Sequence, residues 1–368
     1  MVLTGSDKVL ITIRKEDKMK NIKKFLKYTF SLVIALLVAS PFAKSAASEL
    51  TGAGATFPYP LYSKMFDVYY KEQGVKVNYS AIGSGGGIRQ LIEKTVDFGG
   101  SDAFLTDEQL KKMGDIVHIP ICLGAVVLAY NLPGVDELNL SSEILAEIFL
   151  GRIKKWNDPK LQKLNPKAKL PDMNIVTVHR SDGSGTTFIF TDYLSKISNE
   201  WKTRVGTGTA VNWPCGLGGK GNPGVAGLIK QIPASIGYVE LIYALSNKIN
   251  FANIQNKSGV FVKPGIASTS ASADISLPDD MRISITDTYA KNGYPISGFT
   301  WILVYREQNY NNRTAERAKA LVDLLWWITH QGQKYTEQLH YAPLSKEAIK
   351  KAENLIKTIT YGGKPMMK

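Results

Sequence analysis

Cysteine, histidine and long apolar runs are all scarce in this chain of 368 residues, and each scarcity closes off a class of protein. Two cysteines cannot build a disulfide scaffold or a cysteine-ligated zinc module. The four histidines, His118, His179, His330 and His340, are scattered and show no metal-ligand pairing. The strongly apolar run Tyr28–Ser40 covers 13 residues, too few to cross about 30 Å of hydrocarbon as a helix. No basic run is interleaved with aromatics, so nucleic-acid binding gains no support. Internal repeats and low-complexity stretches are also missing.

What is present is an ordinary globular composition, 44% apolar and 21% charged, at a length that suggests two domains of about 150 residues. Lys20, Lys23, Lys24 and Lys27 precede the apolar run, and Ser45 and Ala47 follow it as small residues. A basic segment, a short apolar segment and a small-residue site make residues 1–47 a secretory signal peptide cleaved near Ala47. Residues 1–18 read as an upstream extension, because Met19 would open a leader of normal length. With no cysteine near the cleavage position, a lipid-anchored form is excluded, and a soluble exported protein is expected. The leader carries nine Lys/Arg against three Asp/Glu, so of the net charge of +13 it takes +6 and leaves +7 to the rest. A moderate positive field favours capture of small anions. Export would place Cys122 and Cys215 where a bridge is chemically permitted, but two free thiols acting as small hydrophobes explain them equally well.

A pattern recurs along the mature chain: a strand, a Gly-rich turn carrying Ser or Thr, then an amphipathic helix. Leu50-Thr-Gly-Ala-Gly-Ala-Thr-Phe57 leads to Leu61, Met65, Val68 and Tyr69 at helical spacing, ending at Gly74. Val75, Val77 and Tyr79 alternate as a strand before Gly83-Ser-Gly-Gly-Gly87, and a helix follows with Ile88, Leu91, Ile92 and Thr95 on one face. Ile175–Val178 is followed by Arg180-Ser-Asp-Gly-Ser-Gly-Thr186 and the helix of Thr187–Leu194. Such alternation predicts an α/β fold. Toward the C-terminus the pattern changes to one strong strand, Phe299–Tyr305, and helices over Thr314–Thr329 and Lys346–Lys357. Trp326 and Trp327 sit on the first of these among leucines and are expected to pack in the core or an interface.

Each of the three turns puts backbone N–H groups and a hydroxyl at a helix N-terminus, where unpaired donors and the positive dipole end suit an anion. One such turn would be an ordinary cap; three with Arg180 beside them point to an oxyanion, which a guanidinium grips bidentately. The rival is a secreted hydrolase or phosphatase with Ser84 or Ser184 as nucleophile. Neither serine stands in Gly-x-Ser-x-Gly, and His179, the last-strand residue nearest the third turn, reads as a rim residue rather than a base. Lys220 is followed by glycine without Walker spacing, which disfavours a nucleotide enzyme.

Leu50–Pro58, Ile82–Gly87, Val96-Asp-Phe-Gly-Gly-Ser-Asp102, Arg180–Thr186, Gly206–Thr209, Gly216–Gly221 and Ile236-Gly-Tyr-Val-Glu240 occur in that order. Together they resemble the periplasmic phosphate-binding family of high-affinity phosphate ABC transporters, over essentially the whole mature chain. The resemblance implies a two-lobed periplasmic-binding-protein fold of type II, with residues 48–121 plus 296–368 as lobe 1, residues 122–295 as lobe 2, and the ligand in the cleft between them. It implies phosphate contacts from Thr56, Phe57 (through its N–H) and Ser84, an acidic acceptor in Asp102, and opposing contacts from Arg180, Ser184, Gly185 and Thr186, with Asp182 holding the arginine. Gly85 and Phe104 depart from the usual family residues and flank the contacts. No cofactor and no catalysis are implied; the partners would be inorganic phosphate and an inner-membrane permease with its ATPase, met by a periplasmic monomer. Asp102 fits because phosphate retains a proton to donate, whereas sulfate would face an unpaired carboxylate.

Overall fold

The computed structural model describes residues 49–367 together with Met19; the leader and the cleavage position near Ala47 lie outside the described residues. Strand β1 (Glu49–Gly54) runs into helix α1 (Tyr59–Gln73), whose Leu61, Tyr62, Met65, Phe66 and Tyr69 are buried at the predicted spacing before the chain turns at Gly74. Strand β2 (Lys76–Ala81), helix α2 (Ser84–Ile92) and strand β3 (Phe98–Ser101) complete a parallel trio in the order β2-β1-β3. The long strand β4 (Ile116–Asn131) then crosses the molecule and is buried along almost its whole length. Such continuous apolar character marks a strand covered on both faces.

A second βα cluster follows. Strand β5 (Val176–Arg180) leads to helix α3 (Gly185–Ile197), strand β6 (Leu217–Gly219) to helix α4 (Gly221–Gln231), and strand β7 (Ser235–Glu240) to helix α5 (Leu241–Asn247). The two-residue strand β8 (Asn250–Phe251) pairs with the far end of β4. Finally strand β9 (Ser297–Tyr305) returns beside β4, followed by helices α6 (Ala315–Thr329) and α7 (Lys346–Lys357). These strands form one curled sheet in the order β2-β1-β3-β9-β4-β7-β5-β6, with β8 beside β4. β4 pairs antiparallel with β9 over Ile116–Ala125 and with β7 over Val126–Asn131. One strand thus serves two partners in succession, and the sheet has two halves whose parallel strands point their C-terminal ends toward a common region.

The helices named from the sequence are all present, but α2 ends at Ile92, which is exposed, so Thr95 lies beyond the helix and only Leu91 of the expected face is fully buried. Trp327 is buried against Tyr69 with ring centroids 5.3 Å apart, while the half-buried Trp326 stacks on His330. Both cysteines are free thiols, Cys122 buried beside the cleft and Cys215 half-buried. Among the described residues no helix is long and apolar enough to cross a membrane, and no group of acidic, histidine or cysteine side chains is placed to hold a metal.

Candidate functional site: an oxyanion cradle between opposed strand ends

Open α/β sheets bind ligands beyond the C-terminal ends of their parallel strands, and every residue singled out from the sequence lies there. Thr56 and Phe57 follow β1, Ser84 opens α2 after β2, and Asp102 follows β3. From the other half, Arg180 ends β5, Asp182 and Ser184 occupy the turn, and Gly185 and Thr186 open α3. Ser84, Ser184 and Thr186 are wholly buried, and Asp102 and Arg180 nearly so.

The two halves touch through these residues. Ser84 Oγ accepts from the Gly185 N–H at 3.0 Å and from the Asp102 N–H at 3.3 Å. The Gly85 N–H donates to Gly183 O at 2.9 Å, and Phe104 meets Phe188 edge to face across the rim. Two glycines are demanded by this approach. A Cβ on Gly185 would lie 2.5 Å from the Asp102 Cβ and 2.6 Å from Ser84 Oγ. Gly83 has φ of +89°, and a Cβ there would fall 2.3 Å from an Asp182 carboxylate oxygen.

Donors dominate the cradle. Arg180 is held by Asp182 in a bidentate pair, Nε to Oδ1 at 2.8 Å and Nη2 to Oδ2 at 2.6 Å, and the Gly221 N–H adds a bond to Asp182 Oδ1 at 2.9 Å. Burial pushes the Asp182 carboxyl up, but the Arg180 bonds and charge reverse this and hold it below the usual carboxylate range. Arg180 Nη1 also donates to Thr186 Oγ1 at 3.3 Å, which leaves the outer N–H bonds of the guanidinium for an anion. Ser184 caps α3 by accepting from the Thr187 N–H at 3.0 Å. The N–H groups of Phe57, Ser84 and Thr186 have no protein acceptor among the described residues.

Asp102 stands out among these donors as the ionisable acceptor. Burial pushes its carboxyl up to about 7, against the opposing effects of a hydrogen bond from Thr300, the Arg180 charge and Ser84. Thr300 Oγ1 donates to Asp102 Oδ1 at 2.7 Å. It does so from a register irregularity between Thr300 and Trp301 in β9, the kind of bulge that re-aims a side chain beside a site.

Several supporting residues escaped the sequence reading. Tyr243 O–H donates to Thr56 O at 2.5 Å and Tyr341 O–H to Phe57 O at 2.6 Å, fixing the first turn from distant elements. Asn222 contacts Thr56, Thr186 and the Glu240 N–H. His179 lies at the rim: its ring stacks on Trp213 with centroids 4.9 Å apart, and Nδ1 sits 3.1 Å from Arg180 O.

A two-halved α/β sheet whose opposed strand ends enclose a buried guanidinium, helix N-termini, hydroxyls and one protonatable acid defines a periplasmic-type anion receptor. The comparisons agree with that class. A family model described as a PBP superfamily domain matches residues 40–329. The chain is 44% identical over 333 residues to the phosphate-binding protein PstS of Pasteurella multocida, covering 89% of this chain and 95% of that one. The PstS of Haemophilus influenzae is equally similar, at 44% over 89% of this chain and 98% of its own. Among solved structures, a phosphate-binding protein from Stenotrophomonas maltophilia aligns with a TM-score of 0.63 at 18% identity, over 83% of this chain and 92% of that one. A human phosphate-binding apolipoprotein aligns with a TM-score of 0.69 at 20% identity, over 87% and 100%. The chain belongs to the PstS family of phosphate-binding proteins.

Proposed function

We propose that this protein is the substrate-binding component of a phosphate ABC import system, capturing inorganic phosphate in the cleft and handing it to a permease. The observation that carries this reading is the cradle itself: buried hydroxyls, open N–H groups and Arg180 surround a position where Asp102 is the acceptor. A dehydrated oxyanion needs many donors, and these supply them without flooding the site with charge. A ligand that keeps a proton can satisfy Asp102; sulfate cannot, and an unmet buried polar group costs about 1–3 kcal/mol or more when charged.

The contact set is Thr56, the Phe57 N–H, Ser84, Asp102, Arg180, Ser184, Gly185 and Thr186, with Asp182 orienting the guanidinium. Gly185 contributes by its close approach, since its N–H is directed at Ser84. Residues 48–121 plus 296–368 form one lobe and 122–295 the other; the change of β4 partner at Ala125/Val126 supports this division. Capture is non-covalent, and the role is binding for transport rather than catalysis, as in the family to which the chain belongs. Its leader sends it to the periplasm, where it acts as a monomer and meets inner-membrane permease subunits driven by a cytoplasmic ATPase.

Isothermal titration of the mature protein, stripped of phosphate, tests the reading. At about pH 8, where Asp102 is ionised, tight one-to-one phosphate binding with no heat from sulfate is expected. Silence toward phosphate would overturn it, and equal binding of both anions would overturn the role given to Asp102.

A further inference from the structure

We infer that Asn222 is a positioning residue that clasps the two halves of the cleft and forces the hydroxyls of Thr56 and Thr186 to act as donors toward the bound anion. The inference rests on the phosphate reading above and adds to it a residue that does not itself touch the anion.

Asn222 is completely buried at the start of α4. Its carboxamide orientation is fixed by chemistry: Oδ1 lies 3.0 Å from the Glu240 backbone nitrogen, which can only donate. The amide oxygen must therefore face Glu240, and the NH2 group must face the cleft. One of its hydrogens goes to Thr56 Oγ1 at 3.0 Å and the other to Thr186 Oγ1 at 3.1 Å. Thr56 belongs to the first half of the molecule and Thr186 to the second, so a single side chain ties them together.

The consequence follows from counting lone pairs. A hydroxyl has one hydrogen to give and two lone pairs to receive. Thr56 Oγ1 accepts from both the Asn222 N–H, at 3.1 Å, and Asn222 Nδ2. Thr186 Oγ1 accepts from Arg180 Nη1 and Asn222 Nδ2. With both lone pairs occupied, each threonine can offer an anion only its hydrogen. Ser84 reaches the same condition without Asn222, through the N–H groups of Asp102 and Gly185. Asn222 is thus the group that denies the ligand two further acceptors. With those two acceptors closed, the acceptors left to the ligand among the contact side chains are Asp102 and the single lone pair of Ser184 Oγ beside the Thr187 N–H, so the singly protonated dianion is favoured over the doubly protonated monoanion.

The test is phosphate affinity of Asn222→Ala and wild type at about pH 6, where the monoanion dominates, and about pH 8, where the dianion does. Charged or titratable groups facing this cluster are Arg180 and Asp182 from β5 and its turn, Asp102 after β3, Glu240 on β7 and Tyr243 on α5. Comparing variant with wild type at each pH separates their titration from the effect sought. Loss of two hydrogen bonds predicts a roughly 30-fold weaker affinity at the higher pH. At the lower pH the loss should be at least about threefold smaller, because the freed lone pairs can accept the monoanion's second proton. A cycle with Thr186→Val should be non-additive, Asn222→Ala costing less once the Thr186 hydroxyl is gone. Equal losses at both pH values, or an additive cycle, would overturn the inference and leave Asn222 a packing residue. Asn222→Asp keeps the size and the Glu240 contact if the alanine variant does not fold. Its carboxylate would draw both hydroxyl hydrogens away from the ligand, and wild-type affinity in that variant would also overturn the proposal. Wild-type protein silent toward phosphate at both pH values would instead remove the phosphate reading and this inference with it.

Discussion

The two halves of the cleft do different chemical work. The half built from β1, β2 and β3 contributes Thr56, Ser84 and Asp102 and no cation to the cradle. The half built from β5, β6 and β7 contributes Arg180, its partner Asp182 and the α3 N-terminus. Under the proposed function, charge would be supplied from one side and proton discrimination from the other. The lesson is that affinity and selectivity are separable here: a receptor could lose one while keeping much of the other.

The largest effect expected is on the cationic side. Arg180→Ala should weaken phosphate binding by at least about a hundredfold, because it deletes a charge-assisted donor and strips Asp182 of its bidentate partner. Titration calorimetry reads this directly, and unchanged affinity would remove Arg180 from the site. Gly185→Ala probes the meeting of the halves, since its Cβ would lie 2.5 Å from Asp102 and cannot be accommodated without separating them. An affinity loss of roughly 30-fold is expected, with far smaller change in the thermal stability of the stripped protein; equal affinity would mean the two halves need not approach so closely.

On the acidic side the effects should fall on selectivity. Asp102→Asn should cost phosphate only about tenfold while admitting sulfate, because an amide can donate where a carboxylate cannot. Competition titrations giving equal losses for both anions would contradict this. In the wild type, burial holds Asp102 at about 7, so sulfate competition should emerge only as the pH falls through 7 and the acid becomes a donor. The same shift has a stability sign. A carboxyl raised in the fold favours the folded state below its ordinary pKa, and that support is lost as pH rises through about 7. Denaturant unfolding of stripped protein should therefore show stability falling between about pH 5 and pH 8, and Asp102→Asn should flatten the slope. Smallest of all, Thr300→Val removes the bond that favours the ionised form. It should move the onset of sulfate competition upward by roughly half a pH unit.

Sequence patterning revealed the strand–turn–helix units because their signals are local: apolar spacing in α1, a glycine where the chain turns, hydroxyls at helix starts. The residues proposed as contacts carry the same local signals, reinforced by the order of the motifs, and the fold gathers them at the opposed strand ends. Thr300 was not, because only the irregular pairing of β9 aims its hydroxyl at Asp102. Tyr341 and Tyr243 reach back across most of the chain to backbone carbonyls of the first turn, and no local pattern encodes such a contact. Asn222 lies one residue beyond a Gly-rich segment that drew notice for its glycines, and Glu240 ends another; what they do depends on which residues the fold brings opposite them.

The passage of β4 from one half to the other bears on how such a receptor moves. At the crossing, the Val126 N–H bonds Ile296 O at 2.8 Å, and Ser297 pairs with Ala125 one step on. The connection is a pair of laddered strands rather than a loose linker. Opening by this route would be a twist of a stiff ribbon with essentially one degree of freedom, and the cleft would reopen along the path on which it shut. A molecule so hinged behaves less like a bag than like a pair of tweezers: its outer rim would report, by the spacing of its two edges alone, whether an anion is inside.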